Sequence, residues 1–141
     1  MTGLSKLLVA GLLLFGCGGL WAAEFLVIAH PGVPVSTLTA DELSAIYLLR
    51  TSTWDDGMRI IPVNREAGSN ARTVFSARIL RQPQSALNTY WDRMHFKGMT
   101  PPLVQESDKA VLAFVQKVPG AIGYVSASTE LKNVKVLAEI Q

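Results

Sequence analysis

The sequence predicts an α/β fold: a single domain in which a mixed sheet is covered by helices. Three observations predict it. Short apolar runs bounded by turn residues, at Glu24–His30, Ile60–Val63, Ala121–Val125 and Val134–Ile140, read as buried strands. Between them lie segments whose apolar residues recur at helical spacing. A length of 141 residues leaves room for one compact core. Strands that alternate with helices require a sheet with helices packed on it.

The chain opens on Lys6, an apolar core from Leu7 to Phe15, and then small residues up to Ala23. This is the pattern of a secretory signal, expected here over residues 1–23 with cleavage near Ala22 or Ala23. Its glycines (Gly16, Gly18 and Gly19) and the lack of following stop-transfer charges argue against a retained anchor. A second reading stays open. Leu14-Phe15-Gly16-Cys17 resembles a lipoprotein cleavage box, in which Cys17 would carry the lipid. Either route delivers residues 24–141 as one domain to the periplasm. Cys17 is the only cysteine, so that domain can form no internal disulfide.

The first strand, Glu24–His30, stops at Pro31-Gly32. Thr39 and Glu42 then form a capping box, since hydroxyl and carboxylate can each satisfy a free backbone N–H. Leu43, Ile46 and Tyr47 continue as an amphipathic helix ending near Leu49. Thr51–Gly57 is rich in turn residues. The second strand, Ile60–Val63, is expected to end at Val63, with a loop containing Arg65 and Gly68 leading to a helix from Ser69. On that helix Ala71, Val74, Phe75 and Ile79 share a face. Pro83 separates it from a helix over Gln84–His95 bearing Leu87, Tyr90, Trp91 and Met94. Phe96–Pro102 reads as loop. Glu106–Val118 carries Val111, Phe114, Val115 and Val118 at i, i+3, i+4 and i+7, which predicts one buried face. Pro119-Gly120 ends it.

Several function classes find no support. The formal charge is only +2, and there is no Lys/Arg run or aromatic platform for nucleic acid. His30 and His95 are far apart and have no cysteine partner in the domain, so a metal site lacks ligands. Asp55-Asp56 before Gly57 reads as a solvated turn. No Gly-x-Ser-x-Gly or Ser-x-x-Lys motif occurs, and no enzyme is expected. No cofactor is required.

The strand–loop–helix from Ile60 to Leu80 has a positive chemical reading. The first N–H groups of a helix lack partners within it, and the helix dipole places partial positive charge there. A phosphate or similar oxyanion can accept those bonds if the backbone approaches closely, as Gly68 permits. Arg65 can add a two-pronged donor and Ser69 a hydroxyl. The expected cradle is therefore Arg65, Gly68, Ser69, Asn70 and Ala71, the last two through their N–H groups. The same residues have a purely structural reading, with Ser69 as a helix cap and Arg65 paired to Glu66 or Asp56.

Four segments carry a family resemblance. Leu38, Leu43, Ile46 and Tyr47 precede Thr53-Trp54 and Asp56-Gly57. Ile60-Ile-Pro-Val-Asn-Arg65 is followed by Gly68-Ser69 and Arg72. Trp91 precedes Phe96-Lys97-Gly98, and Ala113-Phe-Val-Gln-Lys-Val-Pro-Gly-Ala-Ile-Gly-Tyr-Val125 closes the series. In this order they resemble the second lobe of the periplasmic phosphate-binding proteins of phosphate ABC transporters. The second segment resembles that family's R-x-x-G-S-G-T-R loop. The resemblance implies a short, single-lobe member with the fold of one lobe of a type II periplasmic binding protein. It also implies phosphate as ligand and a link to ABC transport. Two departures weaken the implied binding. Asn70 and Ala71 stand where the family has glycine and threonine, which removes a hydroxyl donor. The implied clamshell also has a first lobe, most of which has no counterpart here, so an anion would face solvent and bind weakly. The alternative is a protein-interaction module whose partner is a membrane transporter or a sensor.

Overall fold

The computed structural model describes residues 22–141. The expected export signal, but for Ala22 and Ala23, lies outside the described residues, as does Cys17. Five strands form one sheet: β1 (Phe25–Ala29), β2 (Ile61–Arg65), β3 (Leu103–Gln105), β4 (Ala121–Ser126) and β5 (Lys135–Ile140). Their spatial order is β3-β2-β4-β1-β5. β2 runs parallel to both β3 and β4, whereas β1 runs antiparallel to both β4 and β5. The sheet is thus mixed, as expected.

Alternation along the central strands sends side chains to two separate cores. Phe25, Val27 and Ala29 of β1, with Ile122 and Tyr124 of β4, face a core shared with α1 (Ala40–Tyr47), α2 (Asn70–Phe75) and α3 (Gln84–Phe96). Ile28, Val63, Ala121 and Val125 face α4 (Asp108–Lys117), which contributes Val111 and Val115. Among the described residues no helix is long and apolar enough to cross a membrane.

Local chemistry sets the helix starts. Thr39 and Glu42 form the expected reciprocal capping box on α1. Ser107 caps α4 by accepting from the Ala110 N–H at 3.0 Å. α4 lies close to the sheet because of Gly123, where a Cβ would stand 2.6 Å from Val111 Cγ1. Gly120 has φ +81°, and a Cβ there would meet the Arg59 carbonyl oxygen at 2.1 Å. The Gly120 carbonyl in turn accepts from the Trp54 indole at 3.0 Å, tying the Thr51–Gly57 loop to the sheet.

Three expectations need correction. β2 runs on through Asn64 and Arg65, because the parallel neighbour β3 pairs with both, so Arg65 ends a strand instead of lying in a loop. The helix from Ser69 does not stay regular: after Phe75 it becomes a π-helical turn, Ser76–Leu80, closed by Arg81 in the left-handed region at φ 53°. On α4 only Val111 and Val115 are fully buried, while Phe114 and Val118 lie at the margin of the core.

Candidate functional site

The polar end of β2 is fixed from beneath by an aromatic cluster. Tyr124 of β4 stacks on Phe75 of α2 with centroids 4.1 Å apart, and Tyr47 of α1 meets both rings edge-on. The Tyr47 hydroxyl donates to the Val63 carbonyl at 2.9 Å. The Tyr124 hydroxyl donates to Asn64 Oδ1 and accepts from the Arg65 N–H at 3.3 Å. Burial pushes the Tyr124 phenol up to about 12. Burial, then the neighbouring Tyr124, raises Tyr47 well above its usual value. Both are therefore neutral hydroxyls at physiological pH that serve to orient the backbone around Asn64 and Arg65.

Above this platform the Arg65 side chain is only 12% exposed and is bound by two carboxylates. Nε donates to Glu66 at 3.0 Å, and one terminal nitrogen donates to Asp108 at 2.5 Å. Burial opposes the guanidinium charge, but the Glu66 hydrogen bond and the Glu66 and Asp108 charges outweigh it and raise Arg65 further. Reciprocally, the Arg65 hydrogen bond lowers Glu66 below the ordinary glutamate range. Of the two acids foreseen as structural partners, Glu66 pairs with Arg65. The other, Asp56, instead accepts from the Met58 N–H within its own turn.

The loop itself is built as a helix entrance. Gly68 has φ +86°, which favours glycine, and the space where its Cβ would project is open. The Ser69 N–H closes the turn onto the Glu66 carbonyl at 3.2 Å. Ser69 Oγ accepts from the Arg72 N–H at 3.2 Å, so the serine is the N-cap of α2. The first intrahelical bond runs from the Thr73 N–H to the Ser69 carbonyl, so the N–H groups of Asn70 and Ala71 lie ahead of it without intrahelical partners. Ala71 is 6% exposed and packs into the three-helix core, so residue 71 could face an anion only through its N–H.

The five expected residues are thus contiguous in space, but they do not converge equally. Arg65 is directed at Glu66 and Asp108. A surface hollow of about 540 Å3 beside the loop is instead lined by Gly68, Arg72, Thr73, Ser76, Gln82 and Gln84. Arg72 also donates to the Arg65 carbonyl at 3.1 Å. Sequence reasoning missed Asp108, which lies far from Arg65 in the chain. A usable signal did exist in Ser107-Asp108, a cap followed by an acid at a helix start. Among the described residues no group of three His, Cys, Asp or Glu side chains could hold a metal ion.

Comparison with known proteins then fixes the lineage. A family model described as a PBP superfamily domain matches residues 20–140. The chain belongs to that family. Its fold is similar to that of a Clostridium perfringens substrate-binding protein assigned to phosphate ABC transport and solved with bound phosphate. The TM-score is 0.66 at 22% identity, over 82% of this chain and 44% of that one. An ABC-type phosphate transport receptor from Vibrio cholerae gives a TM-score of 0.65 at 21% identity, over 82% and 45%. PstS from Borrelia burgdorferi gives 0.62 at 19%, over 82% and 47%. The chain spans less than half the length of each of these proteins, and its architecture matches one lobe of their fold.

Proposed function

We propose that this PBP-family lobe acts outside the cytoplasm and binds phosphate or a related oxyanion weakly at the Arg65–Ala71 turn. The observation that carries the reading is the Arg65 guanidinium, held near-buried at the strand end with its donors already directed at anionic oxygens. That is the chemistry by which arginine holds phosphate. Gly68, the Ser69 cap and the N–H groups of Asn70 and Ala71 supply the rest of the cradle.

The same observation sets the affinity. An incoming anion must displace or sit beside Glu66 and Asp108. Unit charges 4 Å apart repel by about 1 kcal/mol in water and about 4 kcal/mol near a protein surface. A charge-assisted hydrogen bond returns only about 1.5–3 kcal/mol. With one open side, the balance after immobilising the ligand is roughly millimolar binding. The test is calorimetric titration with phosphate and with sulfate at low salt, on wild type and Asp108→Asn. Freeing Arg65 should tighten binding. If neither protein binds either anion at roughly tens of millimolar, the oxyanion reading is lost.

A second reading, an interaction module that docks a transporter subunit or sensor, is favoured by apolar exposure at the end of α3 and on β3. Phe96 is 90% exposed, Leu103 52% and Val104 49%. Stabilisation of the protein by a membrane partner, without any response to phosphate, would select it. Neither reading includes a catalytic step. Both place the chain in the periplasm after cleavage near Ala22 or Ala23, with lipidation at Cys17 as the other route. Mass spectrometry of the native N-terminus separates the two routes, and an intact Met1 would overturn both.

A further inference from the structure

A second pocket, of about 500 Å3, lies between the chain after α1 and the outer side of α3. Arg50, Arg93 and Lys97 line it together with Gln82, Tyr90 and Met94, and no carboxylate does. Asp92, next to Arg93 in sequence, is not among its lining residues. The Asp and Glu ion pairs found among the described residues belong to Arg65, and no carboxylate side chain lines this pocket beside the three cations.

Part of this charge has an ordinary explanation. Arg93 lies in the last turn of α3 and Lys97 is its C-cap, where cations complement the helix dipole. Arg50 does not belong to that helix. It is brought there by Leu49, which adopts φ 60° after α1, and Gln82 follows Arg81 at φ 53°. Among the described residues, two of the three non-glycine residues with positive φ thus immediately precede lining residues of this pocket, and such conformations concentrate where a surface is shaped for use. The wall between them is pinned by the Tyr90 hydroxyl, which donates to the Leu48 carbonyl.

From this geometry we propose that the pocket is a separate anion site for a condensed or organic phosphate carrying at least two negative charges. Its volume falls within the roughly 300–1,000 Å3 typical of small-molecule sites, and it offers three cations spread over two elements. Arginine forks suit phosphate oxygens, the Gln82 amide adds a neutral donor, and the Met94 side chain offers an apolar wall. The chemistry is that of a phosphate group, whether free or on a lipid. The inference is independent of the Arg65 turn, although Gln82 borders both hollows.

The test uses the full chain with two probes, pyrophosphate by calorimetry and phosphatidic-acid vesicles by co-flotation. Both are run at about 0.01 M and about 0.15 M salt, across which the Debye length falls from about 30 Å to about 8 Å. Each of Arg50→Gln, Arg93→Gln and Lys97→Gln should weaken pyrophosphate binding about two- to fivefold, and the Arg50→Gln/Arg93→Gln pair about tenfold or more. Lys117→Gln and Lys132→Gln, exposed cations that line neither hollow, should leave it unchanged. Vesicle binding that is lost in the same variants, without pyrophosphate binding, assigns the site to a lipid headgroup. Absence of both, or binding indifferent to the three cations in variants that melt like wild type, overturns the proposal.

Discussion

Two helix starts lie near Arg65, and they solve the same electrostatic problem differently. α4 and α2 both begin with a serine cap, Ser107 and Ser69, whose hydroxyl accepts from a backbone N–H. α4 then carries Asp108 in its first turn, so its positive end is answered by a covalently attached anion that also binds Arg65. α2 has no acidic residue in its first turn. What an aspartate does for α4 is left, at α2, to solvent or to a diffusible anion. The comparison teaches that a helix entrance becomes a candidate ligand site through what the sequence withholds as much as through what it supplies.

The largest expected effect comes from removing what the two starts share. Tyr124 stacks on Phe75 of α2 and orients Arg65, the partner of α4. Tyr124→Ala should therefore cost about 3–5 kcal/mol in chemical denaturation. A loss below about 1 kcal/mol would show that the starts are held independently. Next comes the asymmetry itself. Asp108→Asn removes the built-in anion, and phosphate should bind about tenfold more tightly, or about 1.4 kcal/mol. Unchanged affinity would mean that Arg65 is purely a structural tie.

The two caps give a matched pair of smaller effects. Ser69→Ala and Ser107→Ala should each cost about 1 kcal/mol of stability. Only Ser69→Ala should also weaken the phosphate response, and equal responses would erase the distinction between the helix starts. The smallest effect is on pH dependence. Arg65 lowers Glu66 from its ordinary value near 4.5. Stability from this contact is therefore present above the unfolded-state pKa and lost as pH falls through the lower folded-state value. Glu66→Gln should flatten the acid limb of a thermal-melt series below about pH 5, and an unchanged limb would exclude the contact as a contributor.

The sheet, its helices and most of their boundaries were legible because their signals are local. Thr39-x-x-Glu42 is a cap in any context, and Val111 with Val115 marks a buried stripe. β3 was not legible. It has three residues directly after Pro101-Pro102, too few to show alternation. Missing β3 also cut β2 short, because Asn64 and Arg65 are polar and count as strand only through their pairing with Val104 and Gln105. The π-helical turn keeps the apolar spacing of an α-helix and so left no trace. At the candidate site, Gly68 and the Ser69 cap could be read directly. The Arg65–Asp108 contact could not, since nothing local ties the end of a strand to an acid on a helix forty-three residues later. Ala71 was read both as an N–H of the helix start and as part of that helix's apolar face, and its burial in the core leaves only the N–H for a ligand. Placing the family's threonine there, as Ala71→Thr, would therefore crowd the packing before it could serve a ligand.

The missing side chain at position 123 has a consequence for how such a lobe could diversify. Val111, one turn after Asp108, rests where a Cβ on Gly123 would be. Even an alanine there would force the helix or the sheet to give way, carrying Asp108 relative to Arg65 along with it. The state of the arginine is thus hostage to a residue beneath α4. A lineage could unlock or relock its cation by drift in the interior, with every polar residue at the surface left as it was.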